Sequence, residues 1–149
     1  MRVGQAEDLM TQTAILWPMC GLATLTFIVL LLIPYHRFRA AFAGKVKAED
    51  FRFGESSRVP GDVSIPNRNY MNLLEIPLLF YVAGLAVYAT GLADPSMVRL
   101  AWIYVALRAA HSLVHLTYNN VLHRLTLFAA SNVVLGVLWI RWMWALSLR

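Results

Sequence analysis

The 149-residue sequence is 59% hydrophobic, has a mean hydropathy of +0.58 and carries a formal net charge of +5. Ordinary soluble domains are about 45–50% apolar, so this composition excludes a typical soluble globular protein. The positive charge does not indicate a nucleic-acid partner, because most basic residues lie in one connection between hydrophobic segments. They are Arg37, Arg39, Lys45, Lys47, Arg52, Arg58 and Arg68.

Four hydrophobic segments, at about residues 14–33, 73–92, 98–118 and 125–146, are long enough to cross a bilayer. A transmembrane helix needs about 20 apolar residues, and open strands are excluded from lipid because their backbone groups would stay unpaired. The sequence therefore predicts one all-α integral membrane domain over residues 1–149, built as a four-transmembrane-helix bundle. Residues 1–12 are polar and lack the pattern of a cleavable signal peptide, so we interpret the first segment as a retained span.

The distribution of Lys and Arg predicts the orientation of the spans. The basic loop at about residues 43–66 is expected on the cytoplasmic side by the positive-inside rule, together with Arg124 in the third connection. Both termini and the short turn between spans two and three are then expected in the periplasm. Within the loop, Ser64 and Pro66 are typical of a helix start, which we expect at the beginning of the second span.

Arg68, Asn72 and Glu75 introduce the second hydrophobic segment at helical spacing, so they share one helix face. One interpretation is structural, with Arg68 and Glu75 joining two helices as an ion pair and Asn72 bonding across a helix interface. The other is functional, with Arg68 binding a carboxylate and Glu75 binding an ammonium group. Because Glu75 lies inside an apolar run, it needs a cationic partner in either case.

Arg108, His111 and His115 repeat on one face of the third segment. A charged residue at the centre of a transmembrane helix costs about 2.5–3.5 kcal/mol on insertion scales and usually faces a polar cavity. Either a ligand or Glu75 of the neighbouring span is expected to compensate Arg108. The two histidines have a spacing that suits a metal ion, but the nearby arginines disfavour one, and we expect no metal.

These two motifs resemble those of the MAPEG family, the membrane-associated proteins in eicosanoid and glutathione metabolism. Arg68-x3-Asn72-x2-Glu75, followed by Pro77, is similar to the second-helix motif. Arg108-x2-His111-x3-His115 with the later Arg124 resembles the third-helix region of the microsomal glutathione transferase and prostaglandin E synthase branch. The resemblance covers nearly the whole chain. It implies a homotrimer of four-helix bundles that binds glutathione between neighbouring subunits near the cytoplasmic leaflet.

The resemblance also implies roles for individual residues. Arg124 corresponds to the arginine that stabilises the glutathione thiolate, and Glu75 is expected to meet the α-amino group. Residues expected to hold glutathione are Arg68, Asn72, Glu75, Arg108 and His111, with Arg37 or Arg39 as the basic residue that ends the first helix. Charge supports this assignment independently, because several arginines and one glutamate complement the two carboxylates and one ammonium group of glutathione.

His115 departs from the family pattern, because related enzymes usually have a tyrosine at this position. A histidine can still donate a hydrogen bond to a thiolate, so His115 is a candidate catalytic residue beside Arg124. Tyr118 lies almost one helical turn further on and is a candidate substitute in the binding site.

The leading hypothesis is a glutathione-dependent transferase or peroxidase that detoxifies lipophilic electrophiles arriving from the bilayer, in a bacterial inner membrane. Its expected partners are glutathione, lipophilic molecules or lipids, and further copies of the chain. An alternative is a non-catalytic glutathione- or lipid-binding protein of the same fold, suggested by His115. A small transporter is a third hypothesis, although the sequence lacks the inverted repeats of such folds. Broken helices are the other feature of transporters, and Pro18, Pro34 and Pro77 are the positions at which we expect a helix to bend.

Overall fold

A computed structural model describes residues 12–148. The described chain is all-α, as predicted, and contains no strand, only an isolated bridge between Arg52 and Gly54. Its α-helices are α1 (Leu16–Phe42), α2 (Gly61–Leu74), α3 (Pro77–Thr90), α4 (Pro95–Leu116) and α5 (Val121–Ser147), with a short 3₁₀ helix at Ala48–Phe51. The expectation that residues 1–12 form no signal peptide concerns residues that lie almost entirely outside the described range.

Four helical spans are long and apolar enough to cross a membrane, and they run Gln12–Phe42, Gly61–Thr90, Pro95–Leu116 and Val121–Ser147. The four-span prediction is confirmed, but the spans are longer than the hydrophobic segments, most of all the first two. The first continues through Pro34 to Phe42, and the helix of the second begins at Gly61, before the predicted start near Ser64. Hydropathy predicts only the part of a helix that can lie in the hydrocarbon core of a bilayer. The helix itself can extend beyond that part into polar sequence, because its backbone hydrogen bonds are satisfied there as well.

The second span is divided into two helices at Glu75 and Ile76. Pro77 explains the division, because proline has no N–H to donate and its ring clashes with the carbonyl of the residue four positions earlier. The last carbonyls of α2 therefore lose the partners that a continuous helix would supply. Arg108 of α4 fills part of this gap by donating a hydrogen bond to the carbonyl of Asn72.

The helices pack as an up-and-down bundle in which α4 contacts α5 and α1 contacts α2 most extensively. Short connections force this arrangement, with Gly91 ending α3 in the left-handed conformation and the side chain of Asp94 capping α4. At this end of the bundle, Gln12 bonds to the carbonyl of Gly91, and Arg141 near the end of α5 pairs with Asp94 at 3.4 Å. The buried core includes Phe80 and Tyr104, whose rings stack with centroids 4.6 Å apart.

The basic loop between α1 and α2 is folded around Asp50. This buried carboxylate accepts hydrogen bonds from the backbone N–H of Lys47 at 2.9 Å and the hydroxyl of Ser56 at 3.0 Å. Arg58 forms an ion pair with it at 2.9 Å. The Lys47 N–H, followed by the Ser56 hydroxyl and the Arg58 charge, holds the pKa of Asp50 below its usual value although burial acts in the opposite direction.

Candidate functional site

A cavity of about 260 Å³ opens between the second, third and fourth spans. Its polar wall is formed by Asn72 of α2, His111 of α4 and Arg124 of α5, three residues that the sequence motifs predicted to share a site. Its apolar wall is formed by three residues of α5, which are Val121, Leu125 and Phe128. The cavity therefore places a guanidinium and an imidazole beside apolar side chains that suit a hydrocarbon group.

Arg124 lies in the first turn of α5 and is half-buried. One terminal nitrogen donates a hydrogen bond to the side-chain oxygen of Asn119 at 2.7 Å. Its Nε is buried and has no hydrogen-bond partner among residues 12–148, and no carboxylate in that range forms an ion pair with it. The charge of Arg124 is therefore oriented by a neutral amide and is available to an anion in the cavity.

Arg108 is fully buried, with 0% of its surface exposed, and does not line the cavity. Its guanidinium lies with Cζ 5.6 Å from the ring centre of Phe128 and donates to the carbonyl of Asn72. The structure contains no Arg108–Glu75 ion pair, so this structural alternative is wrong. A helix carbonyl freed by the break at Pro77 replaces the carboxylate, and Arg108 thereby links α4 to the end of α2.

The two histidines of α4 differ in their access to the cavity. Their ring centroids are 5.8 Å apart in an edge-to-face arrangement, but only His111 lines the cavity. His115 is 1% exposed and does not line the cavity; it lies near Ser112, which donates a hydrogen bond to Asn69 at 3.3 Å. No group of three or more His, Cys, Asp or Glu side chains in residues 12–148 has the geometry to hold a metal ion.

Arg68 and Glu75 are exposed on the outer surface of the single chain and make no ion pair within residues 12–148. Both lie on the element that carries Asn72, with Glu75 at the break between α2 and α3. Tyr118 is also exposed, and its hydroxyl is 2.9 Å from Nδ1 of His123 rather than in the cavity. These side chains are therefore not enclosed by one subunit.

The two candidate arginines of α1 lie apart from the cavity that Asn72 and Arg124 line. Arg37 forms an ion pair with Glu55 at 3.1 Å and lies over the ring of Phe51, with Cζ 4.5 Å from the ring centre. Arg39 borders a separate cavity of about 230 Å³ whose other charged or polar residues are His36, Lys45 and Asp62. Within one chain, the structure does not bring either arginine to the predicted site.

Several cavity residues were not predicted from the sequence. Val121, Leu125 and Phe128 share a helix face with Arg124, and the same i, i+3, i+4, i+7 spacing that identified the motifs of spans two and three would have indicated them. Asn119 follows the third span next to Asn120, but an Asn-Asn pair after a helix is an ordinary turn signal. Its contact with Arg124 depends on the backbone conformation of the turn.

The four apolar spans define an α-helical integral membrane protein, and the open cavity lined by Asn72, His111 and Arg124 is its candidate site. The family model of the MAPEG family matches residues 15–144, and the chain belongs to that family. No curated protein and no solved structure matches the chain.

Proposed function

We propose that this protein is a glutathione-dependent membrane transferase, with peroxidase activity toward lipophilic peroxides, of the microsomal glutathione transferase and prostaglandin E synthase branch. The observation that carries the proposal is Arg124, a half-buried guanidinium that lines a cavity without an acidic partner among the described residues. Membership of the MAPEG family supports glutathione as the ligand. The apolar wall formed by Val121, Leu125 and Phe128 supports a lipophilic second substrate.

The cavity holds only part of glutathione. Its volume of about 260 Å³ is below the roughly 300–1,000 Å³ of sites that enclose a complete small ligand. We therefore assign the thiol end of glutathione to the cavity and the charged ends to Arg68 and Glu75 at the surface. A second copy of the chain then covers the bound tripeptide, as in the homotrimer that we propose, and Arg37 or Arg39 of that copy completes the site.

Arg124 would act on the sulfur of glutathione. The nearby positive charge favours the anionic form, so the thiol loses its proton to solvent at a lower pH. The thiolate then attacks an electrophilic carbon, a C–S bond forms, and the leaving group departs with the bond electrons. With a hydroperoxide, sulfur attacks the O–O bond to give a sulfenic acid and an alcohol, and a second glutathione yields the disulfide and water.

His115 favours a second candidate function, glutathione binding without turnover. The family pattern usually has a tyrosine at this position, and the buried His115 does not line the cavity in this structure. If thiolate stabilisation needs a donor from that position, Arg124 and His111 alone would bind the ligand but activate it poorly. The protein would then serve as a membrane carrier or sensor of glutathione conjugates.

Titration calorimetry with glutathione on the protein in lipid nanodiscs, combined with thiolate difference absorbance in the ultraviolet, separates these functions. Binding together with a thiolate signal at neutral pH supports the transferase and justifies a screen of electrophiles and hydroperoxides. Binding without a thiolate favours the second candidate. Folded protein that binds no glutathione rejects both. We further propose a bacterial inner membrane location with the basic loop on the cytoplasmic side, which cysteine accessibility scanning of that loop would test.

A further inference from the structure

The turn between α4 and α5 contains two adjacent asparagines with different contacts. The side chain of Asn120 caps α5 by accepting hydrogen bonds from the N–H groups of Leu122 at 3.0 Å and His123 at 3.1 Å. The side chain of Asn119 instead accepts a hydrogen bond from Arg124 at 2.7 Å. One asparagine therefore fixes the helix that carries Arg124, and the other fixes the guanidinium itself.

Asn119 has an unusual backbone conformation. Among residues 12–148 it is the one non-glycine residue with a positive φ, at 50°. Asparagine tolerates this left-handed region better than most residues, because its short polar side chain can bond locally. The backbone N–H of Asn119 donates to the carbonyl of Val114 at 2.8 Å, which closes the end of α4. The conformation directs the Asn119 amide toward α5, and residues held in this region are enriched at functional sites.

The chemical type of the group that accepts the hydrogen bond from Arg124 distinguishes this arginine from others in the described chain. Three arginines outside the cavity pair with carboxylates in the described chain, and these pairs are Arg37–Glu55, Arg58–Asp50 and Arg141–Asp94. Arg124 instead bonds to a neutral amide. A carboxylate would hold the guanidinium equally well but would cancel much of its charge. An amide restricts the side chain and leaves the full positive charge facing the cavity.

We propose that Asn119 is a positioning residue that orients Arg124 toward the sulfur of bound glutathione without neutralising it. This inference deepens the proposed function and rests on it for the identity of the ligand. It assigns to Asn119 an effect on thiolate formation rather than on affinity, because Asn119 does not line the cavity. The required features are the left-handed backbone, the oxygen acceptor and the absence of charge.

Two substitutions keep the left-handed backbone and separate the oxygen acceptor from the absence of charge. Asn119→Gly keeps the left-handed backbone but removes the acceptor, and Asn119→Asp keeps both and adds a negative charge. Asn120→Ser is the matched control, because serine preserves the helix cap one residue away. We expect Asn119→Gly to raise the pKa of the bound thiol by about one unit, so that the thiolate to thiol ratio at neutral pH falls about tenfold. Asn119→Asp should raise it at least as much, and Asn120→Ser should leave it unchanged.

The measurement combines two readouts in nanodiscs. Ultraviolet difference absorbance against pH gives the thiol pKa, and calorimetry gives the glutathione Kd, which should change less than threefold. In the absence of ligand, ¹⁵N NMR signals of the Arg124 guanidinium report whether its rotation is restricted. These signals are assigned by their loss in Arg124→Lys. Restriction should be present in wild type and in Asn119→Asp, and absent in Asn119→Gly.

The outcomes distinguish this inference from the proposed function. An unchanged Arg124 signal or an unchanged thiol pKa in Asn119→Gly overturns the inference, as does an equal effect of Asn120→Ser, which would indicate a general disturbance of the turn. If wild type forms no thiolate but Asn119→Gly still frees the Arg124 guanidinium, the proposed function fails while the positioning contact is supported.

Discussion

The guanidinium of Arg108 donates a hydrogen bond to the backbone carbonyl of Asn72, near the end of α2. In an unbroken helix this carbonyl would bond to the N–H of Ile76, but α2 ends at Leu74 before Pro77. One terminal nitrogen of the buried Arg108 therefore satisfies this orphaned carbonyl, whereas its Nε and the other terminal nitrogen have no hydrogen-bond partner among residues 12–148. The contact connects the two sequence motifs and fixes Asn72, whose side chain lines the cavity, relative to His111 on α4.

Replacement of Arg108 by alanine should destabilise the protein. The change removes the largest fully buried side chain, leaves a cavity and frees the Asn72 carbonyl in an apolar environment. We expect the thermal midpoint in detergent to fall by roughly 5–10 °C. Arg124→Ala is the matched control, because Arg124 is half-buried and its removal should shift the midpoint by less than about 2 °C. Equal midpoints for the two variants would contradict a structural role for Arg108.

Arg124 itself should be needed for thiolate formation more than for binding. Arg124→Ala removes the positive charge from the cavity, so the thiolate absorbance at neutral pH should fall at least tenfold, while the glutathione Kd rises only a few-fold. Glutathione sulfonate carries a permanent anion in place of the thiol, and its affinity should fall more than that of glutathione. Arg124→Lys should retain part of the thiolate absorbance and part of the glutathione sulfonate affinity, because lysine keeps the positive charge but not the contact geometry with Asn119. A persistent thiolate in Arg124→Ala would show that another group activates the sulfur.

Much of the bundle could be predicted because lipid imposes strict rules on sequence. Span number and fold class followed from the length and hydropathy of four segments. Helical spacing predicted that Asn72 and His111 each lie on the polar face of their helix, and the structure brings both residues, with Arg124, to one cavity. Pro77 was a visible signal for the helix break. The partner of Arg108 was not predictable in the same way, because every residue has a backbone carbonyl and sequence does not show which one a helix break leaves free.

The surface position of Arg68 and Glu75 shows a second limit of prediction from one chain. Their spacing placed them on the face of Asn72, but helical spacing cannot distinguish a side chain that faces a cavity within the subunit from one that faces a neighbouring subunit. Arg37 and Arg39 were assigned through resemblance alone, and within one chain they face Glu55 and a separate cavity. A site shared between copies of the chain would explain why Arg68 and Glu75 face outward and why Arg37 and Arg39 lie away from the cavity. The proposed trimer would contain such a shared site.

Arg68 and Glu75 should contribute to affinity without contributing to the stability of the subunit. Both are exposed and make no ion pair in the described chain, so Arg68→Ala and Glu75→Gln should leave the thermal midpoint within about 2 °C. Each should weaken glutathione binding by roughly ten- to a hundredfold, the usual effect of losing a hydrogen bond to a charged ligand group. Calorimetry measures both affinities, and Arg99→Ala, an exposed arginine near the start of α4, is the control. Unchanged affinity in both variants would remove these residues from the site.

The fold of the basic loop should depend on the charge of Asp50. Because its bonding partners lower the pKa of Asp50, the carboxylate stabilises the loop above the ordinary pKa of about 3.8, and this contribution is lost as the pH falls through the lowered value. At neutral pH the contribution is complete. Asp50→Asn imitates protonation and weakens the Arg58 pair, so hydrogen exchange across residues 47–58 should become several-fold faster at pH 7. Glu49→Gln changes an exposed carboxylate of the same loop and should have no effect; equal exchange in all three proteins would exclude the Asp50 role.

The two histidines of α4 should respond differently to replacement. His111 lines the cavity and faces Phe128, with ring centroids 6.1 Å apart, so His111→Phe should reduce both glutathione affinity and thiolate absorbance. His115 is buried away from the cavity, so His115→Phe should retain wild-type thiolate absorbance and turnover within about threefold once the folded fraction is matched. The measurement is turnover with a lipophilic electrophile, normalised to glutathione-binding sites counted by calorimetry. Loss of turnover in His115→Phe with full binding would instead mean that His115 reaches the sulfur in the working enzyme and replaces the tyrosine of its relatives.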